Sequence, residues 1–239
     1  MTPQPPPMDG KWRYLWRVVG EEEEKNNRYL PQNVVPADFP GWTQSMDKFG
    51  SILMEGAFTA SEILAVGLGV PRRTIRDKME GGTQLLSPTG SDLRKYNKVG
   101  DILAGFHYDL SLMTIHGQSR FPGLFVWFRD GTKVPVKVPK GCFLIQAAKQ
   151  LELVTAGYIY AGFHEVVVTE ETIKAAEKAK AEGRSLWRVS STMFSSIRYD
   201  EILKPLDIFK NSKDYNKYPP ILTSDQVEAE LKAIELLAA

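Results

Sequence analysis

From about residue 100 to residue 197 the chain breaks into short runs of strand-forming residues separated by turn signals, and that pattern leaves few folds open. Residues 103–115 are long and rich in strand formers. Residues 124–128 and 133–138 flank Asp130-Gly131, which reads as a two-residue hairpin. Residues 141–147, 158–168 and 186–194 complete the series. Short strands in such number point to an all-β sandwich or barrel.

Helical patterns flank and interrupt this zone. Trp42, Met46, Phe49, Leu53, Ala57 and Ala60 recur at three- and four-residue spacing, which predicts a helix over about 42–68 with those residues as its buried face. A second helix follows Thr169 as N-cap and ends at Gly183; its polar, alanine-rich middle predicts a surface position. A third lies near the C-terminus, where Val227, Leu231 and Ile234 share a face and Thr223 with Gln226 suit a capping box. Residues 1–10 read as a proline-rich disordered leader, and Glu21 to Glu24 as a solvated loop.

Composition narrows the class. With 30 basic and 29 acidic residues the net charge is +1, which argues against a nucleic-acid or membrane-surface partner. The single cysteine, Cys142, excludes an internal disulfide framework and fits a reducing compartment. Its apolar neighbours predict a buried structural thiol. No stretch reads as long and apolar enough to cross a bilayer, and the N-terminus lacks the pattern of a signal peptide, so a cytoplasmic location is the expectation.

Three histidines carry the chemical signal. Read as one strand, residues 106–109 send His107 and Asp109 out of the same face. An imidazole and a carboxylate side by side supply two ligands of a two-His-one-carboxylate triad, the arrangement that leaves cis positions open on Fe(II). The third ligand has to come from a strand distant in sequence, and His164, 57 residues downstream on the run to Val168, fits. A histidine satisfied within the core is the bland alternative for His107 alone. His116 has the opposite parity and suits a structural or substrate-edge role. Phe106, Tyr108, Leu112 and Trp127 are candidate pocket walls.

On residues 186–194, period-two spacing puts Arg188 and Ser190 on one face. A buried guanidinium needs an anion, and a bidentate carboxylate assisted by the serine hydroxyl is the natural one. The competing reading is a surface arginine paired with Glu165 or Asp200.

These landmarks, His107-x-Asp109, His164 and Arg188-x-Ser190, together with residues 64–71 and 150–157, resemble the isopenicillin N synthase-like branch of the 2-oxoglutarate and Fe(II)-dependent oxygenase superfamily. The resemblance runs from about Trp16 to about Leu206. It implies a mainly β double-stranded β-helix, or jelly-roll, barrel with flanking helices. It implies Fe(II) held by His107, Asp109 and His164, 2-oxoglutarate bound at Arg188 and Ser190, and dioxygen used to oxidise a small organic substrate. The organisation it suggests is a partly disordered leader over 1–40, a supporting helical region over 41–98, the oxygenase barrel over 99–210, and a linker with a C-terminal helix over 211–239.

The chain departs from the family in four places, one of them Lys149, which stands before the Gln150-Leu pair where the family commonly has aspartate. Arg188 follows His164 by 24 residues, a wider gap than usual, and the charged helix fills it as a surface insertion. The tyrosine that often precedes the first iron strand has no match. The family's N-terminal region is largely missing. An oxidase of the isopenicillin N synthase type that needs no keto acid, and a catalytically incomplete barrel, therefore stay open as alternatives.

Overall fold

Two antiparallel sheets enclose a cavity, and the chain passes back and forth between them. The computed structural model describes residues 9–18 and 32–233. The expected leader over residues 1–8, the acidic run Glu21 to Glu24 and Ile234 lie outside those residues. In chain order the elements are β1 (Trp12–Arg13), β2 (Trp16–Val18), α1 (Trp42–Gly67), α2 (Arg76–Met79), β3 (Gln84–Asp92), β4 (Ile102–His107), β5 (Met113–His116) and β6 (Leu124–Trp127). There follow β7 (Lys133–Pro135), β8 (Leu144–Ala147), α3 (Lys149–Val154), β9 (Phe163–Val167), α4 (Glu170–Ala181), β10 (Trp187–Ser195), β11 (Ile202–Leu203), β12 (Ile221–Leu222) and α5 (Thr223–Ala233).

The larger sheet runs β1-β3-β10-β5-β8, with β2 also paired to β3. The smaller runs β4-β9-β6-β7. This is the double-stranded β-helix that the resemblance implied, and it is one form of the sandwich or barrel expected from the strand pattern. Its larger sheet also draws on β1, β2 and β3, which lie in the stretches read from sequence as leader and helical region.

The stretch 103–115 is not one strand. β4 ends at His107 in the smaller sheet, and the chain crosses to the larger sheet before β5 begins at Met113. The crossing is pinned by backbone hydrogen bonds from Lys149 N to Asp109 O (2.9 Å) and from Leu112 N to Ser195 O (2.8 Å). The Asp130-Gly131 hairpin is also longer than expected. Gly131 N donates to Phe128 O and Phe128 N to Thr132 O, with Gly131 at φ 85°, so the connection is a turn plus a left-handed glycine.

Helix α1 backs the larger sheet, packing on β2, β3, β5 and β10. Its buried residues include Met46, Gly50, Leu53, Ala57, Ser61 and Ala65, whereas Phe49 is exposed. The face is rotated from the expected one because Gly50 meets Val18: a Cβ at position 50 would overlap the valine side chain. By length and composition α1 is apolar enough to span a membrane, contrary to the sequence expectation, with a mean hydropathy of 1.3 over its most apolar window. Its contact with the sheet accounts for that apolarity on one side.

Helix α4 forms as expected, with reciprocal Thr169 and Thr172 capping bonds. It is a surface helix on one side only, since Ala179 is fully buried and Ile173 and Ala176 pack against Leu93, Leu103, Phe121 and Val168. The capping box expected at α5 is not made. Thr223 Oγ1 donates to Glu201 O (2.9 Å), and Gln226 accepts from Gln150 (3.1 Å), which ties α5 to the body. Cys142 is exposed, not buried, because it precedes β8, an edge strand of the larger sheet.

Candidate metal centre

β4 and β9 pair antiparallel with His107 opposite His164, so two histidines far apart in sequence become cross-strand neighbours. Their ring centroids are 4.2 Å apart. The register shifts between Ala104 and His107, an irregularity of the kind that re-aims a side chain beside a site. His107 Nδ1 lies 2.6 Å from Gly105 O and donates to it, which leaves the Nε2 lone pair free.

Asp109 comes from the crossing segment just past β4, not from the strand itself. The same-face argument therefore reached the right pairing through the wrong local geometry. The carboxylate is 5% exposed, with Oδ1 3.7 Å from His107 Nε2 and Oδ2 3.9 Å from His164 Nε2. One donor atom from each of the three residues lies within 4.8 Å of the others.

The electrostatics suit a cation. Burial pushes the His164 imidazole down to about 4, against the pull of Asp109, so it is neutral at pH 7 and can donate a lone pair. Burial alone would raise Asp109, but His164, His107 and His116 together hold it below the usual carboxylate range. Among the described residues, Asp109 Oδ2 has no hydrogen-bond partner although it is buried. An ionised, buried and under-satisfied carboxylate flanked by two imidazoles fits a divalent metal.

His164 has a supporting neighbour that sequence did not reveal. Gln146 Nε2 lies 2.6 Å from both Gly162 O and His164 Nδ1. Ligation through Nε2 leaves the proton on Nδ1, which Gly162 O, 3.4 Å away, can accept, and which the Gln146 amide accepts when its oxygen rather than its nitrogen faces the ring. His116 also faces the cavity: its ring centroid is 5.6 Å from that of His164, and burial lowers its pKa. Parity counted from His107 did not apply to it, because the chain changes sheet between the two residues.

The cavity is about 300 Å³ and is lined by both sheets. Arg188 and Ser190 of β10 face it together with the three candidate ligands, as period-two spacing predicted. Arg188 is 7% exposed, and burial pushes it down to about 10, so it stays cationic. The surface-arginine alternative fails: Glu165 pairs with Lys133 (2.5 Å) and Asp200 with Arg198 (3.1 Å). Among the described residues no carboxylate pairs with Arg188, and its Nε is buried without a partner.

The four proposed wall residues do not line this cavity. Phe106 stacks on Phe163 and meets Trp127 edge-on, and Tyr108 packs against the same Phe163 ring. Tyr108 also donates to Glu230 (2.9 Å), and Leu112 is fully buried in the core cluster that α1 joins. Leu103, Leu124, Val136 and Val166 supply apolar wall instead.

Comparison with known proteins agrees with this geometry. Residues 91–197 match the family described as the 2OG-Fe(II) oxygenase superfamily. A full-length Neurospora crassa protein in complex with alpha-KG superposes with a TM-score of 0.76 at 18% identity, covering 94% of this chain and 66% of that one. A 2OG-Fe(II) oxygenase family protein from Caulobacter crescentus gives 0.76 at 21% identity, covering 94% and 70%. JOX2 in complex with 2OG, Fe and JA gives 0.73 at 18% identity, covering 94% and 61%. At these identities the likeness shows the fold, and the chain spans roughly two thirds of those proteins' length. A search of curated protein sequences finds no match. The family match is confined to residues 91–197, and the structural neighbours share the fold of the whole described chain.

Proposed function

We propose that the chain is an Fe(II)-dependent oxygenase that couples 2-oxoglutarate decarboxylation to oxidation of a small organic substrate. The observation that carries this reading is a buried Arg188, with no carboxylate partner among the described residues, facing the same cavity as the His107, Asp109 and His164 cluster. One group of side chains wants a divalent cation and the other wants a carboxylate, and a keto acid that chelates the first can reach the second.

In this reading His107 Nε2, His164 Nε2 and the Asp109 carboxylate hold Fe(II). When bound, the iron supplies the redox chemistry by which dioxygen converts 2-oxoglutarate to succinate and carbon dioxide and oxidises the substrate. The protein's part is positional. Gly105 O fixes the His107 ring, Gln146 and Gly162 O brace that of His164, and the backbone bond from Lys149 anchors Asp109. Arg188 forks onto the far carboxylate of the keto acid, and the Ser190 hydroxyl donates beside it. Burial of Arg188 strengthens that pairing, because little water competes for the guanidinium.

The finer assignment to the isopenicillin N synthase-like branch rests on the order of the landmarks His107-x-Asp109, His164 and Arg188-x-Ser190. A keto-acid-free oxidase of that type is kept as a second reading by one feature. The residues paired opposite Arg188 and Ser190 are Ser91 and Thr89, so short hydroxyls and no tyrosine lie beside that pair. Here Arg188 would hold the substrate's own carboxylate. Succinate release by the Fe(II)-loaded protein with 2-oxoglutarate in air separates the two: release supports the main reading, and its absence with oxygen still consumed selects the second.

A further inference from the structure

Arg188 is not alone among the arginines that line the cavity, and one of the others, Arg13, has no part in the proposed keto-acid chemistry. β1 pairs with β3 on the side away from β10, with Arg13 opposite Thr89, and Thr89 is in turn opposite Ser190. Directly opposed residues share a face of the sheet, so Arg13, Thr89 and Ser190 form one row across three strands. All three line the cavity.

Arg13 does not run toward Arg188. Its Cζ sits 5.4 Å from the centroid of the Phe194 ring. Arg188 and Phe194 are six positions apart on the same strand, on the order of 20 Å of backbone at the strand rise. The Arg13 guanidinium therefore lies toward the Phe194 end of β10's inward face, and Arg188 projects from the other end of that strand.

Arg13 has no carboxylate of its own among the described residues. Asp9, the nearer acid in sequence, is engaged by Lys11 Nζ (2.5 Å) and by Gly105 N (2.8 Å). Asp109 belongs to the metal cluster. The side chain is open to solvent at the cavity, yet desolvation by neighbouring atoms lowers its pKa, as befits a cation in a concave wall. The lining as a whole is basic: Lys11, Arg13, Arg120, Lys137 and Arg188 stand against Asp109 as its acid. A divalent metal and a dianionic keto acid cancel in charge, so binding both leaves that excess in place.

We propose that Arg13 is the docking residue for the substrate, and that the substrate is an organic acid whose carboxylate pairs with this guanidinium. Phe194 supports the plane of the guanidinium and leaves its donor edge facing the cavity. The carbon skeleton then lies against Leu124, Val136 and Val166 on the opposite sheet. The word substrate rests on the oxygenase reading; the anion site itself does not.

The test uses the full chain loaded with Mn(II) and 2-oxoglutarate, which cannot turn over. Benzoate, phenylacetate and hexanoate are each titrated by calorimetry beside the matching amide. At least one acid is expected to bind about tenfold or more tightly than its amide, the scale of one charge-assisted hydrogen-bonded contact. Arg13→Gln should erase that preference with 2-oxoglutarate affinity unchanged, and Arg13→Lys should keep part of it. The proposal is overturned if no acid is preferred on the wild type, if the preference survives Arg13→Gln, or if Arg13→Gln weakens 2-oxoglutarate as much as Arg188→Gln does. An acid preference lost with Arg13→Gln in a protein that binds no 2-oxoglutarate would uphold the anion site and remove the oxygenase reading.

Discussion

His107 and His164 face each other across β4 and β9 as a register pair, 4.2 Å between ring centroids, with the Asp109 carboxylate closing the third corner. The backbone ladder between β4 and β9, with β9 held on its other side by β6, sets both Cα positions before any ligand arrives. The ligand set is thus largely preorganised by the sheet.

If Asp109 is a ligand, Asp109→Ala should lower Mn(II) or Fe(II) affinity by about two orders of magnitude or more, beyond the loss usual for an outer neighbour of a metal site. Anaerobic calorimetry reads it directly. Unchanged affinity would remove Asp109 from the set.

Gln146 should matter at one remove. Gln146→Leu takes away the amide beside His164 Nδ1 and should weaken metal binding about 10- to 100-fold, whereas Gln146→Glu, which can accept the Nδ1 proton, should restore much of it. A leucine variant that binds metal as the wild type does would show that Gly162 O suffices.

Arg188 trades stability for binding. As a buried cation without a carboxylate partner among the described residues it costs the ligand-free fold, so Arg188→Met should raise the stability of that form by about 1 kcal/mol or more. The same change should weaken 2-oxoglutarate by at least about tenfold while sparing the metal. Denaturant unfolding beside a 2-oxoglutarate titration checks both halves, and a destabilised Arg188→Met protein would refute the first.

The pH dependence of the metal-free protein follows from His164. Its folded pKa of about 4 lies below the ordinary histidine value, so below about pH 6.5 the unfolded chain takes up a proton that the native state refuses. The contribution is present in full above that pH and is lost as pH falls toward about 4, an effect on the order of 3 kcal/mol. His164→Gln should flatten this slope; an unaltered slope would place the acid sensitivity elsewhere.

How much of this could be read from the chain depends on what each residue leans on. Arg188 and Ser190 were legible because β10 is nine residues long and period two holds along it. His164 was legible because strand patterns and a rare residue type coincide there. Asp109 was legible by type alone, since a sheet change, invisible to periodicity, actually places it. The hidden residues share a cause. Arg13 sits on a two-residue strand that carries no period, and Gln146 acts through a contact 18 residues away in sequence. Phe49 misled for a related reason: the helix turned to fit Gly50 against Val18, a tertiary contact with no local trace.

The proposed chemistry stands on one cavity that binds a metal at one end and a keto acid between that metal and Arg188. Anaerobic titration of the Fe(II)-loaded chain with 2-oxoglutarate tests it most directly, because chelation of the keto acid gives a visible charge-transfer band. A saturable band is expected in the wild type, none with Asp109→Ala, and one that needs far more 2-oxoglutarate with Arg188→Gln. A wild-type protein that takes up Fe(II) but shows no band at any 2-oxoglutarate concentration would contradict it.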